Sequence, residues 1–421
     1  MVNVIQSPAS LTREVALDAI ALAAALLFAH GQTKERTIIA PERLGRALGV
    51  PVTALPYWGQ LTVGIDGTTL SKIVPVKPLG VDMGRVLAIA TVVDEVCNGT
   101  LEADAARSAL AFAGRLPPAS TLRFTLLTAI GAASLGVIFG VVDAVSLLLI
   151  AVSAVIGALV RRSLAGFSDN PFIQPLCAAA IAGAVAGAAD RLQLSDAITL
   201  VAFCPCMVLV PGPHLLNGAI DLARTRIALG IARFAYAGVF VLMICAGLWF
   251  GLVVTGATLP AAGTAAPTPL IADVIAAGCA VAAFGTFFSM PWRLLPFPIV
   301  VGMLAHAVRW AVISMVSANA ATGAFVACIV VSVIVTPVAN RLHLLFAALG
   351  FSAVVSMMPG FFLFHAASAL VELVSIGPGA PTVLLTSVAV NGTTAFLVIL
   401  AMTLGLILPR LLFEHFLPGP E

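Results

Sequence analysis

Val210-Pro211-Gly212-Pro213-His214-Leu215-Leu216-Asn217 interrupts a long apolar segment, and a second version, Met358-Pro359-Gly360-Phe361-Phe362-Leu363-Phe364-His365, follows 148 residues later. Each lies near the fourth hydrophobic run of its half. Proline removes a backbone donor and clashes with the preceding turn, and glycine holds helix poorly. In hydrocarbon an unsatisfied backbone group costs several kcal/mol, so such a break is tolerated only against protein or a wet cavity. Two matched Pro/Gly breaks, one per half, mark the binding site of a secondary transporter. The plainer alternative is a pair of proline kinks that only shape packing.

Working outward from the breaks, composition gives the class. Charged residues are 10% of the chain and apolar residues 61%, against a usual charged share of about 25%. This is an integral membrane protein. Ten spans of about 20 residues each can be drawn. The first five lie near Leu122–Gly140, Ala144–Val160, Ile173–Ala189, Ala197–Asn217 and Gly230–Thr255. The second five lie near Leu270–Ser289, Pro298–Met315, Ala324–Pro337, Leu344–Ala367 and Val383–Leu408, the eighth being short. The expected fold is α-helical and polytopic: about ten transmembrane helices as two five-helix repeats, residues 119–256 and 257–421. Five spans is an odd number, so the second repeat enters the membrane inverted, with the substrate near the midplane at the repeat interface.

Half of the charges, ten basic and ten acidic, fall before residue 119, and the last lysine is Lys77. Residues 1–118 therefore read as a small α+β domain outside the membrane. Val15–Ala29 imitates a signal peptide, but Arg13-Glu14 gives no positive leader and Asp18 interrupts the run. It reads as a buried helix capped by Ser10 or Thr12 and ending at His30-Gly31. A second helix is expected from Thr37 to Leu48, with Pro41 in its first turn. Leu61–Ile65, Asp66-Gly67 and Thr68–Val76 read as a hairpin. Helices over Asp82–Val96 and Leu101–Ala113 follow, with Asn98-Gly99-Thr100 closing one and capping the next.

Arginines orient the chain. Connections on the N-terminal side hold Arg107, Arg115, Arg123, Arg161, Arg162, Arg224, Arg226, Arg233, Arg293, Arg341 and Arg410, against Arg191 and Arg309 on the other. Eleven against two predicts cytoplasmic termini and a cytosolic domain, which serves as vestibule, gate or dimerisation module.

In the domain, the stretches His30-Gly31, Arg36, Arg43-Leu44-Gly45-Arg46-Ala47-Leu48-Gly49, Gly80-Val81-Asp82-Met83 and Val93-Asp94-Glu95-Val96 resemble the bacterial threonine/serine exporter family. Ile38 stands where members commonly carry glutamate. In the spans they are Pro211-Gly212, Asn217-Gly218-Ala219-Ile220-Asp221-Leu222, Gly230-x-x-Arg233, Phe284-Gly285, Pro291-Trp292-Arg293 and Met358-Pro359-Gly360. The resemblance covers essentially the whole chain, with both modules of the family fused. It implies proton-driven export of threonine and serine across the bacterial inner membrane, with dicarboxylates as the alternative cargo. A small-solute channel is the other non-enzymatic reading.

No Gly-rich loop precedes Lys-Ser/Thr, and neither His-Glu-x-x-His nor Gly-x-Ser-x-Gly occurs, which argues against an ATPase, a zinc protease or an elbow hydrolase. Seven scattered cysteines, with Cys204-Pro205-Cys206 lacking metal-site spacing, read as small hydrophobes. No enzyme, metal or cofactor is implied. The partners expected are a small-molecule substrate, protons and the lipid bilayer, without nucleic acid; a homo-oligomer is compatible with all of this.

For recognition, backbone amides freed at Pro211-Gly212 and Pro359-Gly360 suit a carboxylate. Asn217 and Asn391 are candidates for the amino or hydroxyl group. His214 and His365 flank the breaks, as relay or as packing. Asp221 shares a helix face with Asn217 and either binds an ion or clamps Arg224 or Arg233. Asp190 is a proton site or an interfacial cap paired with Arg191. Asp169, Asp273, Glu372 and Glu414 fall in connections or at span ends, where water keeps them ionised. Asp143 and Asp196 start helices, and His306 and Arg309 are expected to snorkel outwards. Asp190 is thus the expected coupling residue, with Asp190→Asn keeping exchange but losing acceleration by a pH gradient.

Overall fold

The computed structural model describes residues 13–31, 34–78, 80–259, 268–341 and 346–416. The chain forms two compact units, Met1–Pro118 and Ala119–Glu421.

The first unit is built on helix α1 (Arg13–Ala29). It packs against α2 (Lys34–Ala47), α3 (Met83–Cys97), α4 (Ala103–Gly114) and two strands of a three-stranded sheet. Neighbours on every side explain a run as apolar as a signal peptide: from Ala16 to Phe28 only Asp18, Leu22 and Leu26 escape full burial. Asp18 faces outwards and pairs with Lys72 and, at 4.0 Å, Arg107. The proposed caps Ser10 and Thr12 lie outside the described residues. The sheet runs β1 (Val52–Tyr57), β2 (Gly59–Ile65), β3 (Ser71–Val76), antiparallel throughout.

Four expectations need correction here. The hairpin has a further strand, β1, before it, and Pro56 is tolerated there because β1 is an edge. Asp66-Gly67 does not join a two-residue hairpin, since β3 starts only at Ser71 and Ile65 N–H closes on the Leu70 carbonyl at 2.9 Å. Helix α2 starts at Lys34, which puts Pro41 inside it, and Thr100 hydrogen-bonds the Glu95 carbonyl instead of capping α4. The motif residues serve the unit's packing. Asp82 N–H reaches the His30 carbonyl at 3.3 Å, and Arg43 pairs with Asp94 at 2.9 Å. Burial, then the Arg85 guanidinium, lowers the His30 pKa, so its ring is neutral at pH 7.

The second unit is a helical bundle. Its first half holds α5 (Thr121–Ile138), α6 (Ala144–Leu164), α7 (Ile173–Arg191), α8 (Ile198–Met207), α9 (Gly212–Ala223) and α10 (Ile227–Thr255). Its second holds α11 (Leu270–Phe287), α12 (Pro296–Met315), α13 (Ala320–Arg341), α14 (Phe346–Val354), α15 (Gly360–Ile376) and α16 (Thr382–Phe416). Among the described residues nine helices are long and apolar enough to cross a membrane, and the number is ten if α8 and α9, bent by 62°, form one span. The eighth span is not short: α13 runs through Pro337 to Arg341.

The packing of one half recurs in the other. In the first, α5 lies on α6, α6 on α7, α7 on α10, and α8 on α5, α6 and α7. In the second, α11 lies on α12, α12 on α13, α13 on α16, and α14 on α11, α12 and α13. The first helix of each half packs on the other, with Gly131 of α5 against Ala283 of α11. Without a hydrophobic drive between helices in lipid, small residues let backbones approach. Gly183 and Gly187 of α7 sit on Leu248 and Thr255, and Gly247 and Gly251 of α10 sit on Leu176 and Ala180.

Candidate functional site

The two breaks meet. A Cβ on Gly212 would lie 3.0 Å from Met358 Cε and 3.4 Å from Val355 Cγ2. A Cβ on Gly360 would lie 3.1 Å from Met207 Cγ and 3.3 Å from Val210 Cγ2. Met207, Val210 and Gly212 correspond, at the same 148-residue offset, to Val355, Met358 and Gly360. Each glycine therefore touches the counterparts of the residues that touch its own counterpart, so the contact is reciprocal. A methyl at either glycine would require the facing side chains to shift by a few tenths of an ångström, and a larger side chain would hold the breaks apart.

The backbone at the breaks differs from expectation at one of them. Gly212 N–H closes on the Val210 carbonyl at 2.8 Å, and His214 and Leu215 N–H both point to the Pro211 carbonyl. Pro213 has no N–H, so the first break turns its amides inward in this state. At the second break Met358 N–H closes on the Val355 carbonyl at 3.1 Å, and within α15 Leu363 N–H bonds the Pro359 carbonyl at 2.9 Å, leaving the start of α15 as the better anion-facing terminus.

Both flanking histidines are buried among aromatic rings. His214 lies edge-on to Tyr236 at 4.8 Å, and His365 lies between Phe203 at 4.9 Å and Phe361 at 4.3 Å. His365 Nε2 is buried with no hydrogen-bond partner. Asn217 is buried one turn into α9. Asn391 is not brought to the breaks by its amide, which donates to Ser387 of its own helix at 2.9 Å.

Below the first break, Asp221 and Arg233 are 3% and 1% exposed and pair at 3.3 Å, with Arg226 at 3.5 Å from the same carboxylate. The signature glycines explain the approach: a Cβ on Gly230 would lie 2.9 Å from the Gly218 carbonyl, so α9 and α10 cross backbone to backbone. Asp190 is half-buried in the last turn of α7, and the Arg191 guanidinium lies over Gly256, which ends α10 at φ 63°.

Sequence reasoning missed two features. Asp273, placed at a water-bathed span end, is 3% exposed, and His306, expected to snorkel, is fully buried. His306 Nδ1 meets Asp273 Oδ2 at 3.0 Å, and its Nε2 meets Ser356 Oγ at 2.8 Å. Arg161 is the other. Its Nε and Nη1, with Ser153 Oγ, are buried without hydrogen-bond partners beside a void of about 10 Å³ also lined by Thr128, Pro205 and Leu209. That is room for one water. A larger pocket of about 270 Å³ opens between α10 and α15, lined by Cys245, Trp249, Phe364, Ser368, Glu372 and Ser375.

A family model described as a threonine/serine exporter matches residues 18–255, and a second, described as "Threonine/Serine exporter, ThrE", matches residues 273–412. No curated protein and no solved structure matches the chain. The paired breaks, the Asp221–Arg233 clamp and the Gly218–Gly230 crossing all fall within the matched modules, and the chain belongs to the threonine/serine exporter family.

Proposed function

We propose that the chain exports small amino acids of the threonine/serine type from the bacterial cytoplasm in exchange for protons, at the crossing of the two broken helices. The reciprocal contact of Gly212 with Met358 and of Gly360 with Val210 carries this reading. It supports two repeats related by a two-fold axis, and an odd number of passages in each half makes that relation an inversion. The pocket beside α15, one turn beyond His365, is large enough for a small amino acid. Arg161, with two buried donors under the first break, supports a substrate that carries a carboxylate. Dicarboxylates share that group, so they belong in the substrate panel.

The test is counterflow in proteoliposomes with labelled threonine, serine and a set of dicarboxylates. Threonine and serine are expected to exchange, and exchange of dicarboxylates alone would replace the substrate. Removing the pH gradient at fixed voltage and substrate gradient should slow net flux; flux that does not slow identifies a channel.

Orientation follows from the arginine bias, with both termini in the cytoplasm. In a background without native cysteines, Gly379→Cys should react with an impermeant maleimide added outside intact cells, and Thr68→Cys should not. External labelling of Thr68→Cys would reverse the orientation. A third labelling position, Thr264, lies outside the described residues.

A further inference from the structure

Three polar residues from three separate elements meet in the second half: Asp273 in the first turn of α11, His306 on α12, and Ser356 in the 3-10 turn Val355–Met357. They are separated by 33 and 50 residues in sequence, and none is more than 5% exposed. Ionisable groups at membrane depth are expensive, and a pair of this kind adds little stability over a well-packed apolar core. The order carboxylate, imidazole, hydroxyl is the one that lets an imidazole take and return a proton. Ser356 stands three residues before Pro359, and its neighbour Val355 packs on Gly212. A change at His306 is thus one side chain from both breaks.

We propose that Asp273, His306 and Ser356 form the proton-binding site of this exporter, and that loading one proton reverses the hydrogen bond to Ser356 at the second break. The inference rests on the exporter reading above. In the unloaded form His306 is neutral: Nδ1–H donates to Asp273, and Nε2 accepts from the Ser356 hydroxyl. A proton taken up at Nε2 makes the imidazolium, whose positive charge Asp273 balances. Nε2–H then donates to Ser356 Oγ, and Ser356 turns its own proton to another acceptor. No bond other than the N–H forms, and release reverses the step.

The charged group facing the pair is Arg309, one turn along α12, which interacts electrostatically with both members. Among the described residues, the buried faces of α5 and α13, packed on α11 and α12, carry Cys328 as their one titratable group. The described buried side chains of α14 carry none. With the proton bound, His306 and Arg309 share one carboxylate. Movement of Arg309 away from Asp273 strengthens the hold on the proton, and approach weakens it. Transport would supply that movement as the breaks rearrange.

The full chain is reconstituted with internal pyranine and labelled threonine. Asp273→Asn and His306→Gln are expected to keep threonine counterflow but lose both acceleration by a pH gradient and threonine-driven proton movement. Full acceleration in either variant overturns the proposal, as does loss of counterflow in a variant that inserts normally. If neither variant accumulates in the membrane, Ser356→Ala decides: its counterflow–pH profile should be displaced from the wild-type profile, and superimposed profiles overturn the proposal. Loss of the gradient response in Asp190→Asn, with Asp273→Asn unaffected, would move the site to the end of α7. Wild-type protein that exchanges neither threonine, serine nor any dicarboxylate refutes the exporter reading itself. Wild-type exchange indifferent to the pH gradient refutes the proton site and leaves the substrate standing.

Discussion

Gly212→Leu and Gly360→Leu each abolish threonine export while the protein still inserts at near-normal levels. At both positions the first added carbon already lies 3.0–3.1 Å from a methionine side chain across the crossing. Methionine is flexible, so the far end of Met358 can yield to a single methyl, and Gly212→Ala should keep much of the activity. Three further carbons have nowhere to go. Overpacking of this kind typically costs about 1–3 kcal/mol, which a large helical bundle survives. The loss falls on transport, because leucine also restores helix propensity at a point that must stay open. The reciprocal geometry adds a check: Met358→Ala should partly restore Gly212→Leu, and Met207→Ala should partly restore Gly360→Leu. Counterflow rates normalised to membrane protein measure both. Normal transport by the two leucine variants would reduce the breaks to packing kinks.

The second large effect is on stability. Asp221→Asn removes the anion from a cluster in which Arg233 is 1% exposed and Arg226 also reaches the carboxylate. Removing one partner of a buried ion pair strands the other charge and typically costs about 3–5 kcal/mol. We expect a markedly lower Tm in detergent, low membrane accumulation, and loss of all transport modes together. Arg233→Lys should not substitute, since an ammonium cannot reproduce the planar guanidinium. Replacing both partners at once, as Asp221→Asn with Arg233→Met, should recover part of the Tm. An unchanged Tm with full transport in Asp221→Asn would remove the clamp. The outcome separates this pair from Asp273–His306, where the effect is expected on coupling and not on folding.

The membrane passages were legible because about 20 apolar residues are needed to cross a bilayer whatever the fold. The breaks were legible because Pro-Gly inside such a run has few physical excuses. The clamp was half legible: Asp221 and Arg233 carried the signal, whereas the approach of Arg226 to the same carboxylate was not singled out. The Asp273–His306–Ser356 chain was hidden. Asp273 sits in the first turn of its helix, which reads as a wet end, and nothing periodic joins residues on three elements. Burial there depends on how α12 and the 3-10 turn fold over it, a tertiary fact. Asn391 misled in the opposite sense, as a polar residue in an apolar run whose amide its own helix already occupies. Pro337 misled similarly, since proline ended the eighth span on paper but not in the bundle.

The glycine contacts between α7 and α10 have a mechanical consequence. Four positions, Gly183, Gly187, Gly247 and Gly251, interlock these helices at backbone range along most of their shared length. Sliding either helix by one residue would drive a Cβ into the other's main chain, so the pair resists shear as a ratchet does. It therefore moves as one strut. The soft joints of the first half are then left to the 62° bend between α8 and α9, and deformation under load concentrates there.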